Sequence, residues 1–258
     1  MRCFGIFVLT LAFGCGVLAA DVTVTYLGHS CFTIQQESGP IVMLDPYGAA
    51  IPYPALPVPA DIVLITHDHI DHCPSCYGEW DRVEGNPIRV RLLDKDGRCK
   101  EKIPPNVWLI TEEFKTSAIE GTHENARGGG VGNVCMFSFE IGDIRFAHLG
   151  DLGSILNLDQ MTALSDVDVL FIPVGRAFTL DAAEAMTVIA QLPSVKIAIP
   201  IHYNVPGITP WPDIAPLSDF TNLAELMGTV RNTGQSSIVL TPSALPDATE
   251  IWILDYAR

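Results

Sequence analysis

The chain has 258 residues, of which 48% are hydrophobic, and this is enough for one large domain with a substantial buried core. Its 15 Lys and Arg against 30 Asp and Glu give a formal net charge of −15, which repels nucleic acid and anionic lipid at long range. The charge therefore argues against a nucleic-acid partner and against stable membrane association, and it favours a small-molecule partner. The oligomeric state is left open.

The first twenty residues differ in character from the rest of the chain. Arg2 supplies a positive start, residues 4–18 are almost entirely apolar, and small residues follow. This is the layout of a secretory signal peptide, and the apolar run is short for a membrane span. We predict a signal peptide over 1–20, a single domain over 21–258, and export to the periplasm or the outside. An uncleaved anchor and lipid attachment at Cys15 are the alternatives.

Short runs with β character, separated by turn signals, follow the leader. Residues 22–26, 31–36 and 41–44 are predicted to be strands. The Pro-rich stretch 46–59 is predicted to be irregular, because proline cannot occupy a central strand or a helix interior. Residues 61–65 form a continuous apolar run, which is typical of a strand buried on both faces.

Helices enter the pattern in the second half of the chain, whereas residues 78–105 are charged and receive no assignment. A capping box from Asp181 to Glu184 predicts a helix that runs to about Gln191, and residues 217–229 predict an amphipathic helix. Strands first and strand–helix alternation later predict mixed sheets with helices outside them. The further predicted strands are 107–110, 134–140, 144–147, 167–173, 196–201, 237–241 and 251–254.

Five cysteines remain after the predicted signal peptide, so at least one thiol stays free or pairs between chains. Cys73 and Cys76 form a CxxC pair without a second pair to complete a zinc site, which favours a local disulfide over a structural metal or redox catalysis. The pairing within the whole set is left open: Cys31, Cys73, Cys76, Cys99 and Cys135.

The segment that carries the chemistry follows directly after the apolar run at 61–65. It reads Thr-His-Asp-His-Ile-Asp-His from Thr66 to His72. Imidazole and carboxylate are ligands that Zn²⁺ accepts, and a turn at a strand end lets neighbouring side chains converge on one point. The other four histidines also lie at or beside predicted strand ends: His29, His123, His148 and His202.

Together these motifs resemble those of the metallo-β-lactamase superfamily. The H-x-H-x-D-H segment at 67–72 is similar to its metal motif, and Gly28-His29-Ser30 with Leu44-Asp45-Pro46 is similar to the opening of the branch that includes the ascorbate-phosphate lactonases. His123, the segment 147–153 and His202 match later motifs in order. The resemblance implies an α/β (α+β) fold, namely an αββα sandwich of two mixed β-sheets flanked by helices.

The resemblance also implies a site with two metal ions, with Zn²⁺ favoured over Mn²⁺ and Fe²⁺. One ion would be held by His67, His69 and His123, the other by Asp71, His72 and His202, and Asp151 would bridge the two. Asp45 would orient a ligand imidazole, cap the turn at Pro46, or both. His29 and His148 would face the site or be buried and satisfied by backbone groups, and Tyr203 would donate to a substrate oxygen or pack in the core.

A metal-dependent hydrolase is the function that follows from this site. A metal-bound hydroxide would attack an ester, lactone or phosphoester bond of a small substrate, with Asp71 as the catalytic carboxylate that handles a proton. Three alternatives remain: an exported β-lactamase, an iron-dependent redox relative, and an inactive metal-binding member of the fold.

Overall fold

The computed structural model describes residues 20–53, 57–100, 116–123 and 132–258. Its strands are, in chain order, β1 (Val22–Gly28), β2 (Cys31–Gln36), β3 (Val42–Leu44), β4 (Val58–Pro59), β5 (Ile62–Ile65), β6 (Val83–Glu84), β7 (Ile88–Arg91), β8 (Thr116–Thr122), β9 (Asn133–Ile141), β10 (Ile144–His148), β11 (Val169–Pro173), β12 (Ile197–Ile201), β13 (Thr229–Asn232), β14 (Ser237–Leu240) and β15 (Glu250–Ile253). Its helices are α1 (Leu158–Ala163), α2 (Ala182–Gln191) and α3 (Leu217–Met227), with short 3₁₀ turns at Pro74–Tyr77 and Pro242–Ala244.

Two mixed sheets form the centre of the fold. The first has the order β14-β1-β2-β3-β5-β7, and the second has the order β13-β15-β12-β11-β10-β9-β8. Antiparallel pairs at one end of each sheet continue into parallel pairs, β3 with β5 and β10 with β11 among them. The predicted class, a sandwich of two mixed sheets with flanking helices, is confirmed.

The alternation of side chains along the strands of the first sheet sorts them between two apolar clusters. Ile62 and Leu64 of β5 point into the main core between the sheets, whereas Val63 and Ile65 point outward with Tyr47 into a second cluster. This is the period of two that a strand imposes, and it explains why the run is apolar at every position. Strands β11 and β12 of the second sheet are buried throughout, because the helices cover that sheet's other face.

Most predicted elements are present, with shifts at their ends. The capping box at Asp181 and Glu184 opens α2 as predicted, and the hairpin between β9 and β10 turns through Gly142 and Asp143, both at a φ of 59°. The helix predicted over 217–229 ends at Met227, and residue 229 begins β13 instead. The predicted strand 107–110 lies outside the described residues. Within the described residues, no helix is long and apolar enough to span a membrane.

The described cysteines form two disulfides. Cys73 pairs with Cys76, the local bridge favoured by the sequence, and Cys99 pairs with Cys135. Cys31 is a buried free thiol, and burial raises its pKa to about 12. It therefore stays protonated and packs as a small apolar side chain.

Candidate metal centre

The polar residues of the candidate site follow the carboxyl ends of strands that share one direction. In the first sheet, β1 and β3 are both antiparallel to β2, and β3 is parallel to β5. In the second sheet, β8 and β10 are both antiparallel to β9, and β10, β11 and β12 are parallel. At or just past these strand ends lie His29, Asp45, His67, His123, His148, Asp151 and His202.

Three imidazoles and one carboxylate converge in a first donor set. The Nδ1 atom of His69 lies 3.1 Å from Nε2 of His67 and 3.2 Å from Nε2 of His123. Oδ2 of Asp151 lies 3.6 Å from Nε2 of His67 and 3.5 Å from Nε2 of His123. All four residues fall into one group able to hold a metal ion.

A second donor set shares Asp151 with the first. Nε2 of His72 lies 3.2 Å from Oδ1 of Asp151 and 3.6 Å from Oδ2 of Asp71. Nε2 of His202 lies 3.1 Å from Oδ2 of Asp151 and 3.7 Å from Oδ2 of Asp71. His29 lies beside this set, with its Nε2 3.0 Å from Oδ2 of Asp71, where it contacts a member of the set through a hydrogen bond. Asp151 thus stands between the two sets.

The spacing of these donors fits bound metal ions. Ligand atoms about 2.1 Å from a tetrahedral zinc ion are about 3.4 Å apart, close to the separations in both sets. Nε2 of His72 and Oδ1 of Asp151 are also buried without a hydrogen-bond partner among the described residues, although they lie 3.2 Å apart. Buried polar atoms are rarely left in this state, and a cation between them would satisfy both.

Outer contacts fix the orientation of two ligand imidazoles. Nδ1 of His72 is 2.9 Å from Oδ2 of Asp45. The same oxygen accepts a hydrogen bond from the hydroxyl of Thr66 at 2.7 Å, and Oδ1 of Asp45 accepts one from the backbone N–H of Thr66 at 2.8 Å. Nδ1 of His123 donates to the carbonyl of Phe178 at 3.0 Å. When the ring nitrogen remote from the metal donates a hydrogen bond, the other ring nitrogen is unprotonated and its lone pair can face the ion. Asp45 therefore orients His72.

The charge balance of the site shows which groups need a cation. Burial lowers the pKa of His67 and His123, so both are neutral and ready to bind a metal. Burial opposes protonation of His72 and His202 as well. Nearby carboxylates, chiefly that of Asp151, outweigh this effect: they raise the pKa of His72 well above its usual range and that of His202 to about 9. A divalent ion would take the place of these protons.

The backbone of the site is held in conformations that non-glycine residues rarely adopt. His29, Asp45 and His202 have φ values of 55°, 38° and 53°. The amide of His202 donates to the carbonyl of His29 at 3.1 Å, so two of these residues support each other across the two sheets. Such strain costs of order 1–3 kcal/mol per residue and is typical of functional positions.

Two of the less certain sequence candidates lie outside the donor sets. Nε2 of His148 donates to the carbonyl of Ser30 at 3.0 Å, and its Nδ1 accepts from the amide of Gly150 at 3.1 Å. His148 is therefore a buried histidine satisfied by backbone groups. Tyr203 packs in the main core 6.4 Å from the ring of Tyr26 and does not line the cleft above the donors.

A cleft opens above the donor atoms, and its apolar walls carry no sequence signature. Its volume is about 330 Å³. The floor consists of His69, Asp71, Asp151 and His202, and the walls consist of Ile70, Tyr77, Phe178, Trp211 and Ile214. The sequence pointed to the floor and, apart from Ile70 within the motif at 67–72, missed the walls, because they come from segments that lack a repeating pattern.

The fold and the donor sets define a protein built to hold metal ions at the edge of two β-sheets. The family model described as the beta-lactamase superfamily domain matches residues 23–202, more than half of the chain. The chain belongs to the metallo-β-lactamase superfamily, as the motifs had implied.

Two named relatives and one solved structure illustrate what the chain is similar to. A protein named UPF0173 metal-dependent hydrolase from Carboxydothermus hydrogenoformans is 28% identical over 86% of this chain and 98% of its own length. Its namesake from Methanosphaera stadtmanae is 30% identical over 72% of this chain and 86% of its own length. A solved structure from Thermotoga maritima, described as a Zn-dependent hydrolase of the same superfamily, is 25% identical with a TM-score of 0.64, and covers 92% of this chain and 100% of its own.

Proposed function

We propose that this chain is a metal-dependent hydrolase that uses two divalent ions, zinc at both positions, to cleave an ester-like bond of a small substrate. The observation that carries the proposal is the pair of donor sets joined at Asp151. The first ion would be held by His67, His69 and His123, and the second by Asp71, His72 and His202. The names of the matched relatives, metal-dependent hydrolases, support the same reading.

When bound at these two donor sets, divalent ions would acidify a water molecule and would stabilise negative charge on a substrate oxygen. The chain contributes the geometry that these ions need. Asp151 bridges the sets, and the strained turns at His29 and His202 keep the imidazoles at fixed positions. A rigid donor set lowers the reorganisation that accompanies the reaction.

Asp71 is the carboxylate placed to handle a proton. It lines the cleft floor, and its Oδ2 is 3.0 Å from Nε2 of His29. Burial lowers the pKa of His29 to about 4, so His29 is neutral near pH 7 and can donate Nε2–H to Asp71. Burial would raise the pKa of Asp71, but His72 and the other imidazoles hold it well below its usual range. Asp71 therefore stays anionic, and because its proton affinity is low it would pass on, rather than keep, a proton released beside it.

The proposal is tested by metal analysis and turnover together. Purified protein loaded with zinc should contain about two ions per chain and should hydrolyse members of a panel of esters, lactones, phosphodiesters and β-lactams. Asp151→Asn should abolish turnover and weaken metal binding. The matched control is Asp61→Asn, because Asp61 is an exposed carboxylate with one backbone hydrogen bond. Full activity in Asp151→Asn, or stoichiometric iron in place of zinc in protein from its native host, would contradict the proposal.

We also propose that the protein is exported. The apolar leader and two disulfides support this, since disulfides persist in oxidising compartments and are rare in the cytosol. A small molecule, rather than nucleic acid or a membrane, is the partner that the net charge of −15 favours.

A further inference from the structure

The walls of the cleft are apolar and largely aromatic, although they stand over a strongly polar floor. Tyr77 is 57% exposed and Phe178 is 39% exposed, so both present large apolar surface to solvent at the cleft rim. Trp211 and Ile214 form another part of the wall. Apolar surface of this kind beside a reactive centre is the usual lining of a small-molecule site.

The wall at Phe178 is joined to the metal centre through its own backbone. Its carbonyl accepts the hydrogen bond from Nδ1 of His123 at 3.0 Å, while its side chain lines the cleft. Its φ of 68° is strained for an aromatic residue. The fold therefore maintains an unfavourable backbone conformation at Phe178, whose carbonyl binds the candidate ligand His123 and whose side chain lines the cleft.

Hydrogen bonds hold the wall at Trp211 and Ile214 against the segment that follows β12. The amide of Ile214 and the side-chain amide of Asn204 both donate to the carbonyl of Trp211 at 3.3 Å. The next residue, Ala215, donates to the carbonyl of Gly175 and accepts from the amide of Asn204, both at 2.8 Å. Asn204 follows His202 by two residues, so these hydrogen bonds fix the position of the wall relative to His202.

No Lys or Arg lines the cleft among the described residues. Arg89 and Arg91 line a separate hollow beside Tyr77 and are ion-paired with Asp81 and Asp68. The floor carries two carboxylates, Asp71 and Asp151. Apart from the metal ions, the described cleft therefore offers a negatively charged group no partner.

From these observations we propose that the substrate is an uncharged carboxylic ester whose acyl part is an apolar alkyl or phenyl group seated between Tyr77, Phe178, Trp211 and Ile214. The inference rests on the proposed hydrolase function and names its substrate class. Attack by water on the acyl carbon forms the new C–O bond, the bond to the alcohol oxygen breaks, and the products are a carboxylate, an alcohol and one proton. The apolar walls hold the acyl group and leave the carbonyl over the floor.

A series of methyl esters tests the substrate class, because the leaving group stays constant and too small to fill the cleft. Zinc-loaded full-length protein is assayed by proton release with methyl acetate, butanoate and hexanoate. The kcat/KM should rise by about fourfold for each methylene that becomes buried, on the usual scale for hydrophobic transfer. Hexyl phosphate, with a similar chain and negative charge, should be a poorer substrate than methyl hexanoate.

Matched variants assign the effect to the walls. Trp211→Ala should flatten the dependence of kcat/KM on chain length. Trp80→Ala is the control, because Trp80 is a second tryptophan, 51% exposed, that does not line the cleft. A flat dependence in the unmodified protein, or an equal loss of slope in both variants, would overturn the substrate class without affecting the hydrolase function.

A binding experiment separates the failure of the inference from the failure of the proposed function. Acetohydroxamate and octanohydroxamate share one metal-chelating group and differ only in the apolar chain. The octano compound should bind the zinc-loaded protein at least tenfold more tightly, and Trp211→Ala should remove this preference. If no ester is hydrolysed but the preference is present, the function is wrong and the apolar site stands. Equal affinity of the two compounds would refute the apolar site itself.

Discussion

Replacing the buried carboxylate of Asp45 by an amide tests how strongly the second metal depends on a residue that need not touch it. Asp45 accepts three hydrogen bonds, two from Thr66 and one from Nδ1 of His72. In Asp45→Asn, the amide N–H₂ group must face at least one of these donors whichever way it turns. The backbone strain is unchanged, because asparagine tolerates a φ of 38° as well as aspartate does.

The expected loss follows from the bonds that change. A hydrogen bond to a charged group contributes about 1.5–3 kcal/mol when buried, and Asp45 is fully buried, so solvent does not screen it. We therefore expect Asp45→Asn to lower the free energy of unfolding of the metal-free protein by about 3 kcal/mol. Loss of an orienting partner weakens metal binding by about 10- to 100-fold. The ion held by His72 should be affected more than the other, because Asp45 reaches His67 only through the hydroxyl of Thr66.

Competition with a chromophoric chelator measures the two affinities separately, and chemical denaturation measures the stability. The control is Asp61→Asn, in which an exposed carboxylate that accepts only the amide of Ile41 is changed in the same way. If Asp45→Asn binds two ions with unchanged affinity, then the contact between Asp45 and His72 does not orient a ligand, and the assignment of the second donor set is wrong.

Three further predictions follow. In Gly175→Ala, the new Cβ would lie 2.1 Å from the carbonyl oxygen of His202 and 2.9 Å from its Nδ1, so binding of the second ion should weaken in a metal titration. Gly228→Ala is the control: its new Cβ would meet nothing within 4 Å, and metal binding should be unchanged. For the metal-free protein, ion pairing raises the pKa of His202 from 6.5 to about 9, so the stabilisation from its charged form is complete below pH 6.5 and is lost as the pH rises through about 9. The Tm of the metal-free protein should fall across this window in calorimetry, and a zinc-loaded sample that falls equally would contradict the role of His202 as a ligand. Mass spectrometry on protein from its native host should find an N-terminus near Asp21, and an intact Met1 would refute the predicted cleavage.

The sequence predicted the elements whose residues repeat with the period of their structure. The apolar runs at β5, β11 and β12 are buried throughout, and the capping box at α2 is present. β8 was missed because it is a sheet edge, where Gly121 is the only fully buried residue and no alternation is visible. β13 is another edge strand of mostly exposed residues, so the pattern of α3 was extended into it.

The same contrast holds for the site. Most donors were predictable because H-x-H-x-D-H is a dense and specific pattern, and the strands that precede Asp151 and His202 were visible as apolar runs, whereas the strand before His123 was not. The contribution of Phe178 was not predictable, because it is made by a backbone carbonyl and a left-handed φ. Nor was that of Trp211, whose position depends on contacts with Asn204 and Ile214 across a loop.

The metal donors are far apart along the chain, and this gives the ions a second consequence. His69 and His123, for example, are 54 residues apart, and an ion that holds both closes a loop of that length. In the chain-entropy model, a permanent cross-link that closes a loop of this size removes about 4 kcal/mol of freedom from the unfolded chain. Chelation would then lengthen the time that each molecule spends open to proteases. A cell short of metal would consequently lose the protein itself, and not only its turnover.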